Sequence, residues 1–301
     1  MGNLTAIVLG AAAGGGFPQW NCRCPVCRLA WSADRRVKPR TQASLAVSGD
    51  GVHWVLLNAS PDLRQQLLAT SALQPRTGLR DSPIAGVVLT GAEVDQVTGL
   101  LALRERQGFT VFATAETHAV LAGNPIFGVL AADVVGRSIV ARDTSFSLPG
   151  GISGELFAVP GKVALYLEGE NPALAAETGV NVGIELICGS RRLVYIPGAA
   201  AVTMAMQARL SRADLIFFDG TLFADDEMIA AGAGSKTGRR MGHMPIAGEA
   251  GTLSALAGLP GRRILTHINN TNPILIEGSP ERGKVEAAGF EIAEDGTEIV
   301  L

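Results

Sequence analysis

The feature that most constrains the fold is a series of short apolar runs, each closed off by turn residues: TAIVLG, ASLAVSG, HWVLLNA, IAGVVLT, GELFAVP, VGIELICG, RRLVYIPG, DLIFFDG and RRILTHI. Runs of this length, rich in Val, Ile and Leu, read as buried strands. Helical stretches interrupt them without strict alternation. SPDLRQQLLAT reads as a helix with Ser60 as N-cap and Pro61 at the first helical position, and AGEAGTLSAL and ERGKVEAAG carry apolar residues at helical spacing. IELICGSRRLVYI sets a Gly189-Ser190 turn between two strands, which makes a hairpin. Hairpins exclude a purely parallel sheet, so mixed sheets with outer helices are expected.

Composition supports a large core. Of 301 residues, 47% are hydrophobic and 18% charged, enough for one large globular domain over 1–301. No apolar run reaches the roughly 18 residues of a membrane span. The start, MGNLTAIVLG, lacks the basic region of a secretory signal, and a cytoplasmic location is expected. With a formal net charge of -3 and only the short basic run RRVKPR, nucleic acid is not an expected partner. The glycines of GAAAGGG depart from GxGxxG and run into FPQWNCRC, which argues against a dinucleotide loop. They do allow close backbone approach, so Gly14, Gly15 and Gly16 are expected to wall a pocket.

Three of the four cysteines, Cys22, Cys24 and Cys27, form CxCxxC around Pro25. Thiolates at this spacing converge on one ion across a tight turn, so a structural metal is the reading the spacing favours, with a redox CxxC pair and plain loop thiols as rivals. A fourth ligand is then required. Cys188 lies mid-strand, where a cysteine is commonly a small core residue. Of the four histidines, His53 and His118 read as surface or satisfied core side chains. His267 ends a strand and His243 follows the Gly-rich AGAGSKTG, so both are candidates for a site.

The stretch LTGAEVDQVTGLL after the strand IAGVV resembles the HxHxDH signature of the metallo-β-lactamase superfamily, with Gly91, Glu93, Asp95 and Gln96 in the four ligand slots. LVYIPG, FFDGT with Asp219 at the bridging-carboxylate position, and the final strand before His267 follow in the superfamily's order. The resemblance implies an α/β fold, an αββα sandwich of two mixed sheets flanked by helices. Its usual binuclear zinc hydrolase is not implied, because the signature histidines are missing. Each aspartate taken alone also reads as a helix cap or a turn.

A narrower resemblance spans nearly the whole chain. LGAAAGGGFPQWNCRCPVC, LLNASPDLRQQL, LVYIPG, KTGRRMGHMPI and ILTHINNTNPIL are similar to the coenzyme PQQ synthesis protein B family. This implies a role in making pyrroloquinoline quinone (PQQ), either by iron-dependent hydroxylation of the tyrosine-derived ring of a peptide-derived precursor, or by carriage of PQQ or its precursor toward the periplasm. It also implies a zinc ion on Cys22, Cys24 and Cys27. A catalytic Fe2+ would draw on Asp95, Asp219 and His243; substrate would meet Glu93, Gln96, Ser60 and Arg64, the last equally readable as a surface ion-pair partner. Candidate partners are PQQ or its precursor, other PQQ biosynthesis proteins and a second copy of the chain as a homodimer. Gln96 and Ala199 stand where the family commonly has histidine and cysteine. His267 is expected on the zinc, which would leave His243 as the only imidazole of the catalytic region.

Overall fold

The computed structural model describes residues 3–169 and 176–301. In chain order the strands are β1 (Thr5–Gly10), β2 (Ser44–Ser48), β3 (Trp54–Leu57), β4 (Ile84–Val88), β5 (Phe109–Ala113), β6 (Val135–Ile139), β7 (Ser145–Leu148), β8 (Ile152–Gly161), β9 (Ala176–Cys188), β10 (Arg191–Ile196), β11 (Leu215–Asp219), β12 (Arg262–Thr266), β13 (Phe290–Ile292) and β14 (Glu298–Val300). They build two seven-stranded sheets, ordered β14-β1-β2-β3-β4-β5-β6 and β13-β12-β11-β10-β9-β8-β7. Each is antiparallel at one end and parallel at the other: β3 to β6 run parallel, as do β10 to β13. The expected hairpin is β9–β10, with Gly189 at φ 58 in the turn.

The apolar runs are continuous because each sheet is covered on both faces. Along β11, Leu215 and Phe217 point into the core shared by the two sheets, beside Leu57, Val88 and Tyr195. Their neighbours Ile216 and Phe218 point outward, where Met206 and Leu210 of α5 (Met204–Leu210) and Val285 of α8 (Pro280–Ala287) cover them. On the other sheet, Leu56 and Val87 meet Leu63 of α2 (Leu63–Ala69) and Leu121 of α4 (Ala115–Gly123). This is the αββα sandwich. The last strand crosses to the first sheet, where β14 pairs with β1, Thr5 opposite Val300. None of the described helices is long and apolar enough to cross a membrane.

One helix boundary differs from expectation. Helix α2 starts at Leu63 with Asp62 as its N-cap residue, not Ser60. The Ser60 hydroxyl turns inward and donates to Gln66 Oε1 at 3.0 Å, while the Asp62 carboxylate accepts from the backbone and side-chain nitrogens of Gln42 at 2.9 and 3.0 Å. Asp62 therefore ties the start of α2 to the β1–β2 connection, and Ser60 orients Gln66 of α2, whose Nε2 donates to Thr41 Oγ1 and Gln42 O of the same connection at 2.8 Å each.

Candidate active site

The C-terminal ends of the parallel strands converge on one edge of the sandwich, the usual place for a ligand in such sheets. After β4, the one-turn helix α3 (Val94–Val97) is capped by Gln96, whose Oε1 accepts from Glu93 N at 3.1 Å, and this presents Asp95. From the facing sheet, β11 ends on Asp219, which is fully buried. Asp219 Oδ1 accepts from Thr221 N (3.0 Å) and Thr221 Oγ1 (2.6 Å); Oδ2 accepts from Ala199 N (2.8 Å) and meets His243 Nδ1 at 2.7 Å. Beyond β12, His267 adopts φ 57, a conformation uncommon for a residue with a side chain, and its Nε2 lies 2.8 Å from Asp95 Oδ2. The two imidazoles stack with centroids 5.3 Å apart.

Ligand atoms of Asp219, His243 and His267 lie within 4.8 Å of one another. Two imidazoles and a carboxylate facing one point are the donor set of non-haem iron oxygenases, so the residues fit a metal of that kind. The electrostatics agree. Burial works to raise the Asp95 carboxyl, but the bonded His267 outweighs it and holds the group below the ordinary value. Burial likewise opposes ionisation of Asp219, and the charge of His243 and its hydrogen bond reverse that. Burial pulls His267 down, and the hydrogen bond and charge of Asp95 lift it above its ordinary value. The site is built to hold negative carboxylates against positive charge. A cavity of about 540 Å³ opens over it, walled in part by Gly14, Glu93, Lys162, Lys236, Met228 and Met241. At Gly14 a β-carbon would stand 3.7 Å from Asp95 Oδ2, so glycine keeps the approach to that carboxylate open.

The three cysteines form a second cluster below this edge, at the start of α1 (Pro25–Trp31). Cys24 N donates to Cys22 Sγ and Cys27 N to Cys24 Sγ, both at 3.4 Å. Burial, with Cys27 adjacent, pushes the Cys24 thiol up to about 12, and burial also raises Cys27, whereas hydrogen bonds, led by that from Cys24 N, outweigh burial and lower Cys22. A dication is what would hold three such sulfurs ionised together, and the set fits zinc. His267 does not complete it. The side chain facing the sulfurs is Asn270, with Nδ2 3.2 Å from Cys22, 3.3 Å from Cys27 and 3.8 Å from Cys24, and its backbone oxygen 3.6 Å from Cys24 Sγ. The positive φ at His267 turns the chain so that residue 267 faces the cavity and residue 270 faces the thiols. Asn270 is thus placed to supply the fourth donor through an amide or main-chain oxygen.

Residues 53–268 match the family model for a beta-lactamase superfamily domain. The chain is 55% identical over 299 residues to coenzyme PQQ synthesis protein B of Methylobacterium nodulans, covering 99% of this chain and all of the relative. It belongs to the coenzyme PQQ synthesis protein B family. Another family member, from Gluconacetobacter diazotrophicus, is 54% identical over 97% of this chain and 98% of its own. The crystal structure of Zn(2+)-bound PqqB from Methylobacterium extorquens superposes with a TM-score of 0.97 at 53% identity, covering 99% of this chain and 100% of that one. A diphosphatase of the PhnP family shares the fold at a TM-score of 0.68 and 20% identity, over 99% and 97% of the two chains.

Within this family architecture the expected site residues divide. Glu93, Asp95, Gln96 and His243 line the cavity, Asp219 is bonded to His243 at its base, and His267 lies with them and not with the cysteines. Ser60 is fully buried against Gln66 and Arg64 is exposed on α2; neither lines the cavity. Ser60 lies in the β3–α2 connection and Arg64 on α2, and no residue of β3, of that connection or of α2 lines the cavity. Sequence reasoning missed Thr221, Lys162 and Asn270. The polar run INNTNP straight after a buried strand was the available signal for Asn270, since polar residues that deep need a purpose.

Proposed function

We propose that this chain acts in PQQ biosynthesis by hydroxylating the tyrosine-derived ring of a peptide-derived precursor, with a ferrous ion held by Asp219, His243 and His267. The observation that carries this reading is the convergence of two imidazoles and a carboxylate within 4.8 Å on the floor of the cavity. The ion would supply the oxygen-activating chemistry that a ring C–H bond requires. In balance, one atom of dioxygen enters the C–H bond, the other leaves as water, and a two-electron reductant supplies the electrons.

The chain's own residues have definable parts. Lys236 gives the cavity wall a positive charge suited to a carboxylate of the precursor, while Lys162 Nζ, 2.6 Å from Glu168 and 3.3 Å from Glu93, is spent on holding those two glutamates. Met228 and Met241 offer apolar surface to a ring. Asp95, whose Oδ2 lies 2.8 Å from His267 Nε2, would be left as an anionic base at the cavity were His267 Nε2 to hold the metal, suited to take the proton that ring oxygenation liberates. Hydrolysis by the superfamily's binuclear route is disfavoured: Gly91 has no side chain to offer, and Gln96 spends its oxygen capping α3.

The test is metal counting after anaerobic iron loading. One zinc plus one iron per chain, with only the iron lost in Asp219→Ala and in His267→Ala, supports the oxygenase. Zinc alone, together with tight binding of PQQ and no turnover, would replace it with a carrier.

A further inference from the structure

A short segment after β12 joins the two clusters. His267 faces the cavity, and three residues later Asn270 faces the sulfurs. Between and beyond them the chain is polar yet buried, Asn270 and Thr271 each 4% exposed and Asn272 0%. Polar groups at that depth are kept by their partners. Asn269 N donates to Thr221 O at 3.0 Å, and Thr271 Oγ1 donates to Glu227 at 2.6 Å. Asn272 Nδ2 donates to Gly220 O at 3.0 Å and to Thr221 O at 3.2 Å. Gly220 and Thr221 are the two residues after Asp219, and Thr221 Oγ1 reaches Asp219, His243 and His267 together.

We infer that residues 267–272 couple the two centres: metal on the cysteines fixes Asn270 and, through Asn272 and the Gly220–Thr221 turn, sets His267 and Asp219, so the cavity centre binds its own metal more tightly when the cysteine centre is loaded. Asn272 is the positioning residue. The physical reason is the lack of slack, because three residues span at most about 10 Å and each of these is pinned on one side or the other. By linkage, metal in the cavity must tighten zinc on the cysteines by the same factor. The inference rests on the reading of Asp219, His243 and His267 as metal ligands, and not on the reaction they serve.

Asn272→Asp isolates the effect. It keeps the oxygen that caps Ile274 N at 3.1 Å and loses both donors to the turn. Titrated anaerobically with Fe(II), the zinc-loaded full chain of this variant should bind iron about 10–100-fold more weakly than the unaltered chain, with zinc retained. A second measurement does not depend on that variant folding. In the unaltered chain, zinc affinity measured against a competing chelator should rise when the cavity holds iron, and His267→Ala should abolish the rise. Iron affinity within a factor of two of the unaltered chain in a folded Asn272→Asp, or zinc affinity indifferent to iron, overturns the coupling and leaves the cavity's metal site standing. Failure of the unaltered chain to bind iron overturns both.

Discussion

Replacing Thr221 by Val should weaken metal binding in the cavity by one to two orders of magnitude while leaving the fold intact. A hydroxyl has one proton and two lone pairs. In Thr221 the shortest contact, 2.6 Å to Asp219 Oδ1, takes the proton, which leaves the oxygen to accept from His267 Nδ1 at 2.9 Å and His243 Nδ1 at 3.1 Å. This fixes Nδ1–H on His267 and turns Nε2 toward the cavity. Valine keeps the volume. Asp219 Oδ1 still receives Thr221 N at 3.0 Å, so the principal loss is the acceptor for the buried His267 N–H. A buried donor left unpaired costs about 1–3 kcal/mol. At about 1.4 kcal/mol per tenfold, that is roughly 5- to 150-fold in affinity, which overlaps the roughly 10–100-fold expected when an outer partner of a metal-bound histidine is lost. Anaerobic Fe(II) titration of Thr221→Val and Thr221→Ser reads it directly, with serine restoring most of the affinity. A valine variant within twofold of the unaltered chain would refute the reasoning.

Two further outcomes follow from the buried groups. Cys27→Ser should remove zinc from the cysteine cluster and lower the melting temperature by about 10 °C or more, because the ion ties the N-terminal loop to the segment after β12; metal analysis with calorimetry checks this, and an unchanged melting temperature after zinc loss would contradict it. Glu227 is buried between Thr271 Oγ1 at 2.6 Å and Phe223 N at 2.7 Å, and burial pushes its carboxyl up to about 7. Since the folded value lies above the unfolded value of about 4.3, this group's contribution is fully present below that pH and is lost as pH rises through about 7, by up to roughly 4 kcal/mol. Urea unfolding across that range should show the decline, and Glu227→Gln should flatten it.

The sandwich was legible because its central strands are buried on both faces and so appear as uninterrupted Val, Ile and Leu runs. Five strands are not among those runs: β5, FTVFA, is buried like the others, whereas β6, VGRSI, carries an arginine and a serine at the sheet edge, β7 and β13 are short and partly exposed, and β14 is only Glu298–Val300, a strand because β1 lies beside it. Asp95, Asp219 and His243 could be placed because each occupies a slot at the end of a recognisable strand or loop. His267 is expected on the zinc because zinc sites usually recruit imidazole, and the structure instead sets Asn270, three residues on, against the sulfurs. Only the left-handed turn at His267 separates the two, and periodicity carries no trace of one residue's φ. Ser60 shows the same limit: its capping role is lost because Gln66 draws its hydroxyl inward, a contact made only in three dimensions.

The most direct test of the account is to give the iron-loaded chain a tyrosine-containing precursor with isotopically labelled dioxygen and a two-electron reductant, and to read the product by mass spectrometry. The account predicts one labelled oxygen atom in the ring, abolished in Asp219→Ala and His267→Ala. A precursor that binds and emerges unlabelled from a chain carrying its full complement of iron would contradict it.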